Sequence, residues 1–388
     1  MQRTQVAIIG AGPTGLMLGA LLFKAGIHSV ILERCSDEQI LERNWSGILE
    51  PSSIELIAAS GVPTRLKQEG VDQQGFWIGV HGRRHRVDLK ALTGHTVVSY
   101  GQSDLTADLM GARAAAGLLT HYSVEQLSIQ ELDGRHPTLR YQKQGQSCEL
   151  QCEFVAGCDG FHGVSRASIP SRAYRTFERM YPFGWLGILA DAAPVQDELV
   201  YAHHARGFAM CSMRGRKQLR CFLQCNLSDK LTQWTDELVW GELRQRLDPE
   251  TAAQLQPGPI LERSIAPVRS FVAEPLRHGR MFLAGDAAHV VPLTSPKGLN
   301  LALSDVSLLS QALVRYFRHH DEQGLDSYSE QVLQQVWRAQ RFSWHLTRLL
   351  HSFPDQHGFD QRIQQAELEH LTRSATAQAA LAESYVTL

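Results

Sequence analysis

"QVAIIGAGPTGLMLGALLFKAGIHSVILER", residues 5–34, decides the fold. "VAIIG" is a short, continuous, β-branched apolar run and reads as a buried strand. "GLMLGALLFKAG" carries apolar residues at helical spacing, with Gly26 placed to end the helix, and "SVILE" reads as a second strand. Strand, helix and strand in that order predict a right-handed β-α-β unit with parallel strands. Between strand and helix stands Gly10-x-Gly12-x-x-Gly15. Gly10 permits a tight turn, Gly12 lets a pyrophosphate approach the backbone, and Gly15 lets helix and strand pack closely. The helix N-terminus offers partial positive charge to phosphate. Glu33 stands where a carboxylate can accept hydrogen bonds from a ribose diol. A lone glycine motif says little, but strand, helix, strand and acid in sequence predict a dinucleotide site. The competing reading is a glycine-rich turn with no ligand.

The rest of the composition narrows the class. The chain has 388 residues, enough for two or three packed units, and 43% hydrophobic content is ordinary for a soluble enzyme. A net charge of −2 gives no broad basic surface for nucleic acid. No apolar run approaches the ~20 residues of a membrane span, and a first strand starting near Gln5 leaves no room for a signal peptide. The seven cysteines form no C-x-x-C pair, so reduced thiols and a cytoplasmic location are expected. No metal site is expected from the 17 histidines: His81 and His85 lie in "HGRRHRVDL", whose alternation spaces them along a strand.

Beyond residue 34 the pattern changes several times. Residues 75–90 alternate like antiparallel strands. Residues 102–117 read as a helix, with Ser103 as N-cap and Gly117 as its stop. Residues 118–157 give short strands, 180–266 a strand-rich region, and the chain is mostly helical from about 298. Two more motifs follow strands. In "GCDGFHGVSR" (157–166), Asp159-Gly160 makes a turn that can approach a ligand or simply reverse the chain, and Arg166 can meet a phosphate or order the loop. In "FLAGDAAHVVPLTSPKGLNLALSD" (282–305), Asp286 projects from a strand end toward the crevice where open α/β sheets bind ligands. "PKGLN" then opens a helix whose free N–H groups favour negative charge.

These motifs, together with "DLMGAR", "YPFGWLG", "KGLNLA", "RFSW" and the stretch from "RIQQ" to "ELE", resemble the flavoprotein aromatic hydroxylases (group A FAD monooxygenases), in the branch acting on 4-hydroxybenzoate. The likeness runs from about residue 4 to the end of the sequence. It implies an α/β fold: a Rossmann-like FAD-binding domain, an inserted mainly antiparallel β-sheet substrate domain, and C-terminal helices. The expected division is 1–72, 98–178 and 267–348 for FAD, 73–97 and 179–266 for substrate, and 349–388 for interface helices. It further implies FAD as cofactor and NADPH or NADH as co-substrate, with a lean to NADPH. Arg34 favours a 2′-phosphate, while Asp37 and Glu38 repel it. The implied reaction hydroxylates 4-hydroxybenzoate to 3,4-dihydroxybenzoate with O2 through a flavin C4a-hydroperoxide. The implied partners are a small aromatic acid, O2 and a second copy of the chain.

The resemblance also assigns residues. Gly10, Gly12, Thr14, Gly15, Glu33, Arg43, Trp45, Gly47, Ile48, Gln102, Asp159, Asp286, Leu299 and Asn300 fall at cofactor positions. Ser212, Met213 and Arg214 in "CSMR", with Tyr201, Phe222 and Leu293, fall at substrate positions. Ser212 and Arg214 are two apart on a predicted strand, so they share a face and can hold a benzoate carboxylate. Tyr201 falls on the tyrosine that meets the substrate phenol, and Tyr385 on the second tyrosine of a proton relay. Four positions depart from the family pattern. Phe222 replaces a tyrosine, removing a donor worth roughly 0.5–1.5 kcal/mol. Leu293 replaces a proline, Trp45 an arginine, and Gln73 a relay histidine, losing a group that titrates near neutrality. The alternatives are the same chemistry on another para-substituted benzoate, such as 4-aminobenzoate, or a flavin-binding sensor whose catalysis has decayed.

Overall fold

Val6–Ile9 is buried along its whole length, as a strand covered on both faces must be. The computed structural model describes residues 2–42, 47–214 and 217–387; Arg43 and Trp45, both expected at the cofactor, lie outside the described residues. Val6–Ile9 pairs in parallel with Ser29–Leu32 on one side and Phe154–Gly157 on the other. Phe154–Gly157 pairs in turn with Met281–Leu283, so segments more than a hundred residues apart line up in one six-stranded sheet. The helix Pro13–Lys24 joins the first two strands and buries Leu16, Met17, Leu18 and Leu22. Each such side chain contributes roughly 1.5–3 kcal/mol. Gly26, at φ +77°, turns the chain out of the helix as expected.

A second, eight-stranded sheet forms the other half of the molecule. Its central strands Arg175–Ala190, Gln218–Cys225, Ala209–Arg214 and Leu199–Ala202 are antiparallel neighbours in that order. Leu199–Ala202 then pairs in parallel with Gly75–Val80, which forms a hairpin with Arg83–Asp88. Residues 75–88 therefore form the antiparallel strands that the sequence implied, Leu89–Thr93 is a short helix, and His81 sits in the hairpin turn. No group of His, Cys, Asp and Glu among the described residues could hold a metal ion. Arg175–Ala190 and Ile260–Glu274 are long enough to run past the expected joins at 178/179 and 266/267. The strand-rich stretch also holds two helices, Asp236–Arg246 and Pro249–Gln254, capped by Thr235 and Asp248. Their caps follow the ordinary rule, but the strong strand signals on either side hid them.

From Lys297 onward the chain is helical: Lys297–His319, Gln323–Leu350, Gly358–Arg373 and Ala375–Val386. The first two pack on each other and the nucleotide half, burying Leu301, Val306, Leu309, Leu325, Val332 and Val336. The helix Gln102–Ala115 has Gly101 and not Ser103 at its N-cap, two residues earlier than the capping signature in the sequence. Ser103 lies inside the first turn because its hydroxyl is used elsewhere: it accepts from Arg214 Nη2.

Candidate active site

The glycine loop divides its labour as read. Gly10 has φ +103°, and a Cβ there would meet the Cys158 carbonyl oxygen at 2.3 Å. A Cβ on Gly15 would lie 2.1 Å from the Gly10 carbonyl oxygen. A Cβ on Gly12 would meet nothing within 4 Å, because Gly12 faces a cavity. That cavity, about 800 Å³, runs from Glu33 past the loop to Tyr201. Gly12 is the N-cap of Pro13–Lys24 with no side-chain cap, so the helix N–H groups are left for another acceptor. Thr14, Gly47, Ile48, Gln102 and Leu299 also line the cavity. Glu33 accepts from the backbone N–H groups of Ala11, at 2.7 Å, and Cys35, at 2.9 Å. Each oxygen keeps a second lone pair for a ligand.

Asp159 and Asp286 border the middle of this cavity. Asp159 Oδ2 accepts from Ser165 N at 2.9 Å, while Oδ1 is buried with no partner among the described residues. Burial holds its carboxyl above the ordinary range, in spite of the N–H bonds that lower it. Arg166 takes the second of its two readings and orders the loop. Its guanidinium donates to the Ala287 and Phe161 carbonyls and lies over the rings of Phe161 and Phe271. The accessible surface of Asp286 opens into the cavity, and the protein around it raises its carboxyl. Behind it His289 Nε2 meets Asp305 Oδ2 at 2.7 Å, and that same oxygen accepts from Gly285 N at 2.8 Å. Burial alone would lower His289, but the charge and hydrogen bond of Asp305 raise it overall. This buried pair fixes the Gly285-Asp286 turn, and its two members are sixteen residues apart, too far for local sequence reading to join them.

The far end of the cavity is walled by the second sheet. Cross-strand register puts Tyr201, Met210 and Phe222 in one row, and all three line the cavity with Trp185. The Tyr201 hydroxyl lies 3.2 Å from the Tyr385 hydroxyl, and both tyrosines are buried at 1% exposure. Phe76 supports the pair, edge-on to Tyr201 and stacked on Tyr385 with ring centroids 4.5 Å apart. Burial pushes the phenols of both tyrosines well above their ordinary value, so they stay neutral donors. Trp185 Nε1–H donates to His351 Nε2 at 2.7 Å, which fixes the indole in the wall.

Two rows further along the same face, Ser212 pairs across the sheet with Arg220, and Arg214 follows. Neither Ser212 nor Arg214 lines the cavity itself. Arg214 donates to Ser103, approaches Asp104 Oδ2 at 3.8 Å, and keeps Nη1 buried without a partner among the described residues. Met213, between Ser212 and Arg214, is buried, and strand alternation puts its side chain on the opposite face of the sheet from both. Arg220, not singled out from the sequence, is buried, with its guanidinium 5.2 Å from the Phe222 ring centroid and Nε unpartnered among the described residues. It stands two residues before Phe222, and strand periodicity could have found it.

Leu293 lines the cavity beside Pro292. Gln73 does not join the tyrosines: Nε2 donates to Asp197 O and Oε1 accepts from Leu199 N, each at 3.0 Å. Asn300 is fully buried and outside the lining. Its Oδ1 accepts from Glu50 N and Ser53 Oγ, and its Nδ2 donates to the Ile48 and Pro296 carbonyls. It therefore shapes the cavity by clamping Ile48 to the helix start. Lys297, missed in the sequence, is 1% exposed and donates to Glu50 Oε1 at 2.8 Å and to the carbonyls of Tyr385 and Thr387. Burial lowers the Lys297 amine and raises the Glu50 carboxyl, and each offsets part of the other's shift.

A family model described as an FAD binding domain matches residues 3–343. The chain belongs to the FAD-binding-domain family. Over 387 residues it is 50% identical to the p-hydroxybenzoate hydroxylase of Acinetobacter baylyi, covering 100% of this chain and 96% of that one. It is 24% identical over 343 residues to a probable NADH-specific resorcinol 4-hydroxylase of Rhodococcus jostii, covering 84% of this chain and 62% of that one. The crystal structure of p-nitrophenol 4-monooxygenase from Pseudomonas putida shares the fold at TM-score 0.84 and 17% identity, covering 100% of this chain and 99% of that one. The protein is thus a flavin-dependent aromatic hydroxylase. The residues present fit FAD: the open side of Gly12, an uncapped helix N-terminus, spare acceptor sites on Glu33, and Asp286 facing the cavity form one continuous cradle.

Proposed function

We propose that this protein hydroxylates 4-hydroxybenzoate to 3,4-dihydroxybenzoate, using bound FAD, NAD(P)H and O2. The observation that carries the reading is the Tyr201–Tyr385 hydroxyl pair at an aromatic cavity wall, on the same sheet face as Arg214, whose Nη1 has no partner among the described residues. The full-length identity to the Acinetobacter baylyi p-hydroxybenzoate hydroxylase supports it. Arg214 and Ser212 hold the benzoate carboxylate, Arg214 through a charge-assisted bond. Trp185, Met210 and Phe222 cover the ring and exclude water. Tyr201 donates to the phenol oxygen and steadies the phenolate, which makes the adjacent ring carbon more nucleophilic. Tyr385 receives or returns the proton through Tyr201. Bound FAD supplies the electron transfer from the nicotinamide and the activation of oxygen. Glu33, Asp286 and the Gly12 loop hold it, Asp159 and Arg166 shape the loop beside it, and Asn300 and Lys297 position the elements around it.

Arg34 on the cavity rim supports NADPH over NADH, against Asp37 and Glu38 in the first turn of the next helix. The three-part division given from the sequence, an FAD unit, a substrate sheet and interface helices, belongs to this reading, as does a cytoplasmic location. No helix among the described residues is long and apolar enough to cross a membrane. A homodimer is supported by Phe359 and Ile363, 75% and 55% exposed and one turn apart on Gly358–Arg373. A panel of substituted benzoates, scored for NAD(P)H consumption and hydroxylated product, tests the substrate. Tight coupling on 4-hydroxybenzoate is expected. Coupling on 4-aminobenzoate instead would move the assignment, and a flavin that stays oxidised with every ring would favour a sensor.

A further inference from the structure

Cys211 and Cys221 stand directly opposite each other on neighbouring antiparallel strands, with their sulfurs 3.2 Å apart. Opposed residues in an antiparallel pair have Cα atoms about 4.5–5.5 Å apart. That range lies inside the roughly 4.4–6.8 Å that disulfides span. Both side chains face the back of the substrate sheet and belong to one apolar cluster with Trp234, Val239 and Trp240. Their chain neighbours face the other way. Ser212 follows Cys211, while Arg220 and Phe222 flank Cys221.

We propose that Cys211 and Cys221 are a redox modification site, which peroxide converts to a cross-strand disulfide behind the substrate wall. Hydrogen peroxide is the oxidant, the form in which reduced oxygen leaves a monooxygenase when no ring is hydroxylated. One thiolate attacks a peroxide oxygen and becomes a sulfenic acid, releasing the first water once a proton is taken up. The second thiol displaces the sulfenic hydroxyl, forming the S–S bond and releasing the second water. The two thiols lose two electrons, and the peroxide gains them. Burial, and then the neighbouring Cys211, hold the Cys221 thiol protonated, so the reaction waits on opening of the cluster and is slow. Closing the gap brings the sulfurs together by roughly 1.2 Å, from 3.2 Å to a bond of ~2.04 Å. The cross-link pins the strand carrying Ser212 and Arg214 to the neighbouring strand carrying Arg220 and Phe222. Its formation is independent of the substrate reading; its effect on ligand binding rests on that reading.

The test treats holoenzyme with hydrogen peroxide for graded times, blocks remaining thiols, and digests with trypsin without reduction. Cleavage after Arg206, Arg214, Arg220 and Lys230 leaves Cys211 in residues 207–214 and Cys221 in residues 221–230. The expected product is these two peptides joined, lighter than their sum by two hydrogen atoms. It separates on adding dithiothreitol and is missing from Cys211→Ser and Cys221→Ser. The second peptide also contains Cys225, so fragmentation must place the link at Cys221; a link at Cys225 overturns the proposal. Absence of the joined peptide at doses that fully oxidise the part-exposed Cys148 also overturns it. The affinity of oxidised holoenzyme for 4-hydroxybenzoate is expected to change several-fold, reversibly, and only where both cysteines are present. A joined peptide with unchanged affinity overturns the coupling to the wall. If Arg214→Ala also leaves affinity unchanged, the substrate reading has failed separately.

Discussion

Replacing Tyr201 by Phe deletes one oxygen, and its consequences can be worked from the structure. That oxygen is 3.2 Å from the Tyr385 hydroxyl, and both lie at 1% exposure. The deletion strands the Tyr385 hydroxyl in a buried site, which costs about 1–3 kcal/mol. Removing both hydroxyls leaves no stranded group, so Tyr201→Phe/Tyr385→Phe is expected to recover most of that loss. Unfolding midpoints of the parent, both single variants and the double variant form a cycle that isolates the pair. Chemistry should suffer separately from stability. Arg214 and Ser212 still hold the carboxylate, so affinity for 4-hydroxybenzoate stays within a few-fold. Loss of the group that steadies the phenolate should slow ring hydroxylation on the order of 10²–10⁴-fold. NAD(P)H consumption would then outrun product, and the missing oxygen would appear as hydrogen peroxide. Two readouts decide: the product-to-NAD(P)H ratio and the stability cycle. A single variant with parental coupling, or a double variant no more stable than Tyr201→Phe, refutes the reasoning.

Arg214→Ala should weaken benzoate binding at least about thirtyfold, since losing one partner of a desolvated charge pair costs 2–5 kcal/mol; equilibrium titration checks it, and Ser212→Ala should lose much less. Gly12→Ala should fold but emerge with little flavin, because its Cβ is free of protein but stands in the cradle, whereas Gly15→Ala should damage folding itself; flavin content beside a melting curve separates the two. Asp286→Ala should also lower flavin content while leaving the protein folded, and full retention of flavin would count against its role. His351 is held down to about 3, chiefly by burial, so it is neutral in the folded protein and protonates in the unfolded chain near 6.5. Its contribution is complete above pH 6.5 and is lost as pH falls toward 3, at up to about 1.4 kcal/mol per pH unit. His351→Gln, which can still accept from Trp185, should flatten that acid limb relative to the parent in unfolding experiments at stepped pH.

The dinucleotide half was legible because its signals are local. The turn at Gly10, the close packing at Gly15 and the acid at Glu33 all lie within one β-α-β unit, where strand and helix periods are unambiguous. The substrate half was legible only in part. Alternation put Ser212 and Arg214 on one face, and that same period could also have drawn in Arg220. Contacts made across long separations were beyond local reading. Lys297 meets Glu50 across 247 residues, and Tyr201 meets Tyr385 across 184. Gln73 shows the limit of alignment: its position matches a relay residue, yet its amide is spent on the backbone before Leu199. The helix after Thr235 was hidden for another reason: its buried face carries Glu242 and Arg246 beside Val239, Trp240 and Leu243, which blurs the helical period.

The buried ammonium of Lys297 has a bearing on the order in which the chain matures. Domains gain structure from the N-terminal side during synthesis. Here the first strand needs Phe154–Gly157 beside it, and that strand needs Met281–Leu283, so the nucleotide sheet cannot close until well over half the chain has left the ribosome. Even then Lys297 lacks the Tyr385 and Thr387 carbonyls that take two of its three bonds, and Tyr201 lacks its hydroxyl partner. A nascent chain stopped short of these residues keeps the Lys297–Glu50 pair but leaves two ammonium donors without acceptors beside the cavity. Such a chain should remain loose there and open to proteases, so that oxygen-activating chemistry is withheld until the last helix docks.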